Sequence, residues 1–591
     1  MSDQPKNGDN KEEPKGTGRR DFLSAAGAAA AAAAAVGVGS NASADNFQET
    51  ADRYIPPDQW WHHTGLEWYE FPSDDPKVIQ VFGYSDKLSY LPGEEVSLHA
   101  TTGAKKFDIQ IYRDGGKMEL VHEAKGVAGK RSKTPKDCFT VGCGWPALYK
   151  WRLPADLRSG FYVVVFSVMK GEERIEQEAG FAVRSATPKS KIVLMLATST
   201  WRSYNDWGGG SAYGKPGVAS GATEGATGDL AIIPRLHLHR PWSRGFIRLP
   251  NNAARMTVPA EPPRAMGESI RYFHNEFALS NGYSKWCMAA GWAAFDRHFV
   301  TWAENNGYEL DFITQEDLHA NPDILNGHQC LVTVGHDEYY TWEMRKSIDR
   351  WLEAGGHFAR LGGNLNWQIR LEEEGLMQVG YKGFSRSHDP VRNDPNRRHL
   401  LTNMWEHPSV NYPATTTFAS SSAFGHLIGL GGAAPRTPGF TVYRPDHWML
   451  EGSDLYYGDA FAAEYCRFEC DGVPYTFRDG RPYPTDEMGT PTNIEIVGLC
   501  PAMNSEEDHG HSSVIIAGEG YGLAIPQDLY DTDTPTKEQL KKHVTGCGIL
   551  AYMPKGKGDV ATAAVNEWIM GLGKDEFVDQ ITHNVLKRFT A

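Results

Sequence analysis

Three short segments of this chain carry the residue types of a hydrolytic or metal-binding centre, and each follows a run of apolar residues. Tyr204 lies in Thr198-Ser199-Thr200-Trp201-Arg202-Ser203-Tyr204-Asn205-Asp206-Trp207-Gly208-Gly209, after Ile192-Val193-Leu194-Met195-Leu196. His336 and Glu338 lie in Gly335-His336-Asp337-Glu338-Tyr339-Tyr340, after Cys330-Leu331-Val332-Thr333-Val334, and Asn364 lies in Gly362-Gly363-Asn364-Leu365-Asn366-Trp367, after His357-Phe358-Ala359-Arg360-Leu361. A carboxylate and a phenolate are hard oxygen donors, suited to a hard cation such as ferric iron. A free phenol has a pKa of about 10, so Tyr204 ionises at neutral pH only beside a metal or another cation. Histidine at 336 has the residue type that activates or orients a reacting group. Each also admits a structural role. Glu338 suits the N-terminus of the helix that starts just after it, His336 an orienting hydrogen bond, Tyr204 a packed turn and Asn364 a tight turn.

The elements that would position them follow from the apolar pattern. Continuous apolar runs read as strands buried on both faces. They alternate with a helical stretch at 289–305 and a helix from Thr341 to Ala354 closed by Gly355-Gly356. Strand, helix, strand, helix, strand predicts an α/β domain over residues 190–591, an open parallel sheet of amidotransferase-like or flavodoxin-like type with its ligands beyond the carboxyl ends of the strands. Residues 410–530 read as loop-rich, and final helices are expected near 561–571 and 576–588. Before the linker Ala186-Thr187-Pro188-Lys189-Ser190, residues 76–185 alternate apolar and polar in short runs such as Phe107-Asp108-Ile109-Gln110-Ile111-Tyr112. They predict an all-β immunoglobulin-like sandwich. Residues 45–75 form an aromatic-rich segment with Trp60-Trp61-His62-His63 and Trp68-Tyr69.

At 591 residues the chain is too long for one core. A formal charge of -15 argues against a nucleic-acid partner, because such binders concentrate Lys and Arg. Residues 1–44, with Arg19-Arg20-Asp21-Phe22-Leu23, an alanine run and Ala42-Ser43-Ala44, read as a twin-arginine signal peptide. That reading implies the twin-arginine export machinery as a partner and a periplasmic or extracellular location. Beyond this run no stretch is apolar for long enough to span a bilayer, so no stable membrane anchor is expected after cleavage. Of the eight cysteines, Cys138/Cys143 and Cys466/Cys470 are close enough in sequence to pair in an oxidising compartment. No pair of CxxC motifs supports a structural zinc site. Asp508-His509-Gly510-His511 reads as an acidic surface loop, and Cys330 as a buried thiol.

The three segments together resemble the large (β) subunit of N,N-dimethylformamidase and its relatives, and Gln580-Ile581-Thr582-His583-Asn584-Val585-Leu586-Lys587-Arg588-Phe589 is similar to that family's C-terminal end. The resemblance implies a mononuclear iron (Fe3+) amidohydrolase that cleaves the C–N bond of a small-molecule amide, with the metal held by two tyrosines and a glutamate. Carried over by position, Tyr204 and Glu338 are metal ligands. His336 and Asn364 are residues beside the substrate, and Glu469, in Arg467-Phe468-Glu469-Cys470-Asp471-Gly472, is a further active-site acid. The family tends to have Arg-Pro-Tyr for its second tyrosine, where this chain reads Arg240-Pro241-Trp242. Tryptophan offers a metal no lone pair, so either a neighbour such as Tyr213 substitutes as ligand, or the second tyrosine aligns elsewhere, or the iron site is incomplete. A small partner subunit or a homo-oligomer is a further implication. Two other readings remain open: a non-catalytic periplasmic ligand- or carbohydrate-binding protein with a degenerate metal site, which Trp242 favours, and a metal-independent hydrolase of amidotransferase-like fold.

Overall fold

Short apolar alternations before residue 185 form eight strands in the computed structural model, which describes residues 69–215, 230–251, 253, 255, 277–278, 280–428, 437–503, 525–543 and 545–591. These are β1 (Val81–Ser85), β2 (Ser89–Tyr90), β3 (Glu95–Thr102), β4 (Lys106–Asp114), β5 (Met118–Ala128), β6 (Ala147–Arg152), β7 (Gly160–Lys170) and β8 (Glu173–Val183). They divide into a sheet of order β1-β3-β6 and a sheet of order β2-β8-β7-β4-β5. Val81, Val96 and Leu98 of the first meet Ile109, Ile111, Val164 and Phe166 of the second in one apolar cluster. The expected immunoglobulin-like arrangement is not upheld: the strands split three against five, and β2 runs parallel to β8 rather than within an antiparallel sheet. The turn at Leu91, closed by the Glu94 amide donating to the Leu91 carbonyl at 3.1 Å, ends β2 after two residues.

The segment read as a linker is pinned down. The Ser185 hydroxyl and the backbone amides of Lys189 and Ser190 all donate to Asp311, at 2.5, 2.7 and 3.0 Å.

The buried apolar runs are strands, but the sheet they enter is mixed. Its members are β9 (Ile192–Leu196), β11 (Leu310–Thr314), β12 (Cys330–His336), β14 (His357–Gly363), β17 (Ser421–Ile428), β20 (Phe468–Gly472), β23 (Glu495–Met503), β24 (Thr545–Lys555) and β25 (Gly558–Ala563), in the order β11-β9-β12-β14-β25-β24-β23-β17-β20. The first five pair in parallel, and the ladders from β25 to β20 are antiparallel. Strand β18 (Phe440–Val442) attaches to β23, and β19 (Ala460–Phe461) pairs with β18. This overturns the open parallel sheet of flavodoxin or amidotransferase type. The antiparallel half comes from β24 and from residues 421–503, which read as loops because glycine and proline interrupt their strands. A further strand, β25, occupies the start of the expected 561–571 helix.

A smaller sheet, β10 (Arg235–His237), β16 (Met377–Val379), β15 (Trp367–Glu372) and β13 (Tyr339–Thr341), flanks the end of β12, and β21 (Tyr475–Arg478) pairs with β22 (Arg481–Pro484) alone. Five helices matter here: α1 (Thr198–Tyr204), α2 (Arg297–Asn305), α3 (Gln315–Ala320), α4 (Trp342–Ala354) and α5 (Glu576–Phe589). Helix α4 matches its expectation closely: the Thr341 hydroxyl accepts from the Met344 amide at 3.2 Å, and Gly355 ends it at φ 118. No helix among the described residues is long and apolar enough to cross a membrane.

All eight cysteines are free and buried. The Cys138 and Cys143 thiols hydrogen-bond each other, whereas Cys466 bonds Cys500 rather than Cys470. Residues 1–44, the run Trp60 to Trp68 and Asp508–His511 lie outside the described residues.

Candidate functional site

Three strand ends converge. Strand β9 runs into α1, which is buried along its whole length and ends on Tyr204. Gln315 at the start of α3 fastens it, accepting from the Ser199 amide at 2.9 Å and donating to the Tyr339 carbonyl at 2.8 Å. Strand β12 ends on His336, and the register Gly335↔Gly362, His336↔Gly363 brings the end of β14 beside it. Gly335 has φ 66, and a Cβ there would lie 2.3 Å from Phe295, so the close approach requires glycine. The Thr200 hydroxyl accepts from the Glu338 amide at 3.0 Å, which ties the second segment to α1.

Tyr204, His336 and Glu338 are 3, 2 and 2% exposed. His336 is the hub. Its Nδ1 donates to the Ala289 carbonyl at 2.7 Å, and its Nε2 lies 3.2 Å from Glu338 and 3.1 Å from Glu469. Both ring nitrogens therefore face acceptors, the arrangement of an imidazolium. Burial alone would lower its pKa, but Glu469 and Glu338 outweigh burial and raise it to about 9. The Asn364 amide sits 3.1 Å from the same Nε2 and hydrogen-bonds Glu469. Burial pushes Glu469 up to about 7, with His336 opposing and Glu338 adding to the rise. Asn566 donates to Glu469 at 3.2 Å.

Tyr213 completes a cluster of oxygens. Its hydroxyl lies 3.0 and 2.8 Å from the two Glu338 oxygens and 2.7 Å from the Tyr339 hydroxyl, and it hydrogen-bonds Tyr204, whose ring centroid is 4.2 Å from its own. A hydroxyl has one proton and two lone pairs, so Tyr213 fills its capacity by donating to Glu338 and accepting from Tyr204 and Tyr339. Burial, and then the Glu338 charge, holds all three phenols well above their ordinary pKa.

Among the described residues no three His, Cys, Asp or Glu side chains are placed to hold a metal. A metal at this site would depend on phenol oxygens. Tyr204, Tyr213 and Glu338 form a crowded, all-oxygen set, which fits a hard cation. Trp242 lies outside it, edge-on to Trp201 at 6.0 Å and stacked with Phe246 at 6.3 Å.

Sequence reasoning placed Tyr204, Tyr213, His336, Glu338, Asn364 and Glu469, and the structure brings all six together. The helix-terminus role for Glu338 is not what the structure has, because Thr341 is the cap of α4. Sequence reasoning missed Lys382, Tyr339, Trp286 and Asn566. Lys382 Nζ lies 3.4 Å from the Tyr213 ring centroid and 5.5 Å from that of Trp367. Burial lowers its pKa to about 8 against the attraction of Glu338 and Glu469. Tyr339 was visible as the neighbour of Glu338, but nothing in the local pattern marked Lys382. Asn364, Lys382 and Phe468, all lining the cluster, have φ of 62, 55 and 71. Left-handed backbone outside glycine is uncommon and gathers at functional sites. Trp286, Trp367 and Phe468 wall the cluster: Trp286 stands 5.4 and 5.2 Å from Tyr204 and Tyr213, and Phe468 meets His336 edge-on at 5.5 Å. Cavities lined by Arg248, Arg255, Arg297 and His298, and by His328, Trp351 and His357, share no residue with it.

Fold and site together define a mixed-sheet protein with a buried phenol–carboxylate–imidazole centre at the ends of parallel strands. The chain belongs to the N,N-dimethylformamidase beta subunit-like family, whose C-terminal region matches residues 108–580. It is 22% identical over 344 residues to the N,N-dimethylformamidase beta subunit of an Alcaligenes species and 23% identical over 341 residues to that of Paracoccus aminophilus. Each match covers 54% of this chain and 40% of the relative, so the chain matches less than half the length of these curated relatives.

Proposed function

We propose that this protein hydrolyses the C–N bond of a small amide at a mononuclear ferric site held by Tyr204, Tyr213 and Glu338. The observation that carries this reading is the Tyr213 hydroxyl set against both Glu338 oxygens and against Tyr204. It supplies a second phenol where Trp242 cannot. Family membership supports the hydrolase class, and the relatives' name points to N,N-dimethylformamide as the first substrate to try. Bound there, ferric iron would supply Lewis acidity toward an amide carbonyl and lower the pKa of a water.

The chain's own residues do the rest. Glu469, whose pKa is near neutrality, takes a proton from the attacking water and returns it to the leaving amine nitrogen. His336 fixes Glu338 and Glu469 on one imidazole edge. The Asn364 amide, beside that edge, donates a hydrogen bond to the carbonyl oxygen as it gains charge. Trp286, Trp367 and Phe468 limit water around the reacting bond.

Two expectations from the sequence belong to the same proposal. The twin-arginine pattern at Arg19-Arg20 supports export to the periplasm or beyond. The relatives are named as subunits, which supports assembly with a small subunit or a second copy.

The test is iron analysis of protein purified from a native-like host, followed by amine release from N,N-dimethylformamide and other small amides before and after chelation. Bound iron, a visible phenolate-to-iron band and chelator-sensitive hydrolysis are the expected results. Colourless protein that stays inactive after ferric reconstitution would favour the binding-protein reading, and hydrolysis that survives iron removal would favour the metal-independent one.

A further inference from the structure

Directly behind the cluster lies a second group of charges that the proposed chemistry does not use. Arg360 on β14 is fully buried between Asp337 and Asp471, which are fully buried as well. Its Nε donates to Asp337 at 2.9 Å, its Nη2 to the other Asp337 oxygen at 2.5 Å, and its Nη1 to Asp471 at 2.5 Å. Thr333 and Tyr340 each donate to Asp337 at 3.0 Å, and the Leu365 amide donates to both Asp471 oxygens at 2.9 and 3.1 Å.

The sequence positions of these partners carry the argument. Asp337 is joined by one peptide bond to Glu338, Asp471 is two residues from Glu469, and Leu365 follows Asn364. Backbone bonds tie the Glu338 and Asn364 segments to each other, the Asn366 and Trp367 amides donating to the Glu338 carbonyl at 3.2 and 3.1 Å ahead of the β13–β15 ladder, but no strand pairing joins either of them to the Glu469 strand. The β12–β14 ladder stops at His336↔Gly363, before Glu338 and Asn364. Strand β20, which carries Glu469, pairs with β17 and is not next to β14 in the sheet. Arg360 joins the β20 segment to the segment after β12 with a planar fork that fixes distance and direction at both carboxylates, which a point charge cannot do. Arg345, also buried, offers a contrast: it donates to the Tyr412 and Pro413 carbonyls and stacks on aromatic rings, away from the site.

We propose that Arg360 is a positioning residue: through Asp337 and Asp471 it sets the spacing of Glu469 from Glu338 and Asn364 around His336. This inference concerns placement and stands apart from the metal reading. Arg360→Met alone orphans two buried carboxylates and is open to misfolding. The deciding variant is therefore the charge-free Asp337→Asn/Arg360→Met/Asp471→Asn, which leaves no orphaned ion, with Arg360→Lys as the conservative comparison. Thermal melting shows whether each is folded, and crystal structures report the His336 contacts to Glu338 and Glu469. The expected result is a folded triple variant in which one or both contacts open beyond hydrogen-bond reach, and an Arg360→Lys variant in which at most one survives. Ferric titration of the same proteins should show the phenolate band shifted or lost relative to wild type. A triple variant that keeps both contacts and the wild-type band overturns the proposal. Wild-type protein without a band overturns the iron reading alone, because the structures still decide the role of Arg360.

Discussion

Asp337 and Glu338 share a peptide bond and sit in opposite electrostatic settings. Asp337 meets a guanidinium fork and two hydroxyl donors, and every contact around Arg360 matches a donor with an acceptor. Glu338 meets a phenol crowded by two others, an imidazole shared with a second carboxylate, and the half-buried Lys382. Along the same few residues the chain has thus built one ionic group in which a guanidinium fork faces both carboxylates and one in which two carboxylates share a single imidazole edge among phenols. The first gives rigidity, and the second gives a place for a cation and for proton transfer. Both are hydrogen-bonded, so it is the convergence of hard oxygen donors, and not an unmet bond, that points to chemistry.

That contrast can be broken from either side. The largest effect is expected from Arg360→Met alone, which leaves two carboxylates uncompensated. Removing one partner of a buried ion pair costs about 3–5 kcal/mol, and chemical denaturation should show a loss of that order or a failure to fold. Glu338→Ala should abolish iron binding and hydrolysis together, with a smaller stability loss than Arg360→Met in the same denaturation because His336 keeps Glu469 as its countercharge. Full iron content in that variant would remove Glu338 from the ligand set.

Glu469→Gln should keep iron but lower kcat by about 10²–10⁴-fold, the usual worth of a positioned acid–base group. The sign of its pH dependence follows from burial. With its pKa raised to about 7, Glu469 is protonated below that pH and ionised above it, so a base role makes wild-type kcat/KM fall as pH drops through about 7. Glu469→Gln should lose that limb, and an unchanged acid limb would assign it to another group.

Asn364→Gly, chosen because φ 62 penalises alanine, should keep iron and lose about 10²-fold in kcat, near the worth of one oxyanion donor. The smallest effect is expected at Trp242, whose ring packs among apolar side chains. Trp242→Phe should keep iron and activity, at a stability cost measurable by melting.

The legibility of the sequence follows the same division. The parallel strands announced themselves because a strand buried on both faces must be apolar throughout, and the polar exits after Leu196, Val334 and Leu361 then stood out. Asp337, Arg360 and Asp471 were present in those runs, but a pairing across non-adjacent strands leaves no local period to read. Strands β17, β20 and β23 carry Gly425, Gly472, Pro501 and buried cysteines, which hide alternation, so this part of the antiparallel half reads as loops and the sheet as a parallel one. The first sheets were legible as strands, but their partition was not, because it depends on where the Leu91-Pro92-Gly93 turn sends the chain. Tyr213 was reachable only as a neighbour of the site segments, and Lys382 depends on a left-handed backbone that no residue type announces.

The central claim is that Tyr204, Tyr213 and Glu338 act as one donor set. Ferric titration followed by visible absorption, comparing wild type with Tyr213→Phe and Trp242→Phe, tests it most directly. The account expects a saturable phenolate-to-iron band in wild type and Trp242→Phe that is lost or strongly weakened in Tyr213→Phe. A band of full strength in Tyr213→Phe, or loss of the band only in Trp242→Phe, would contradict it.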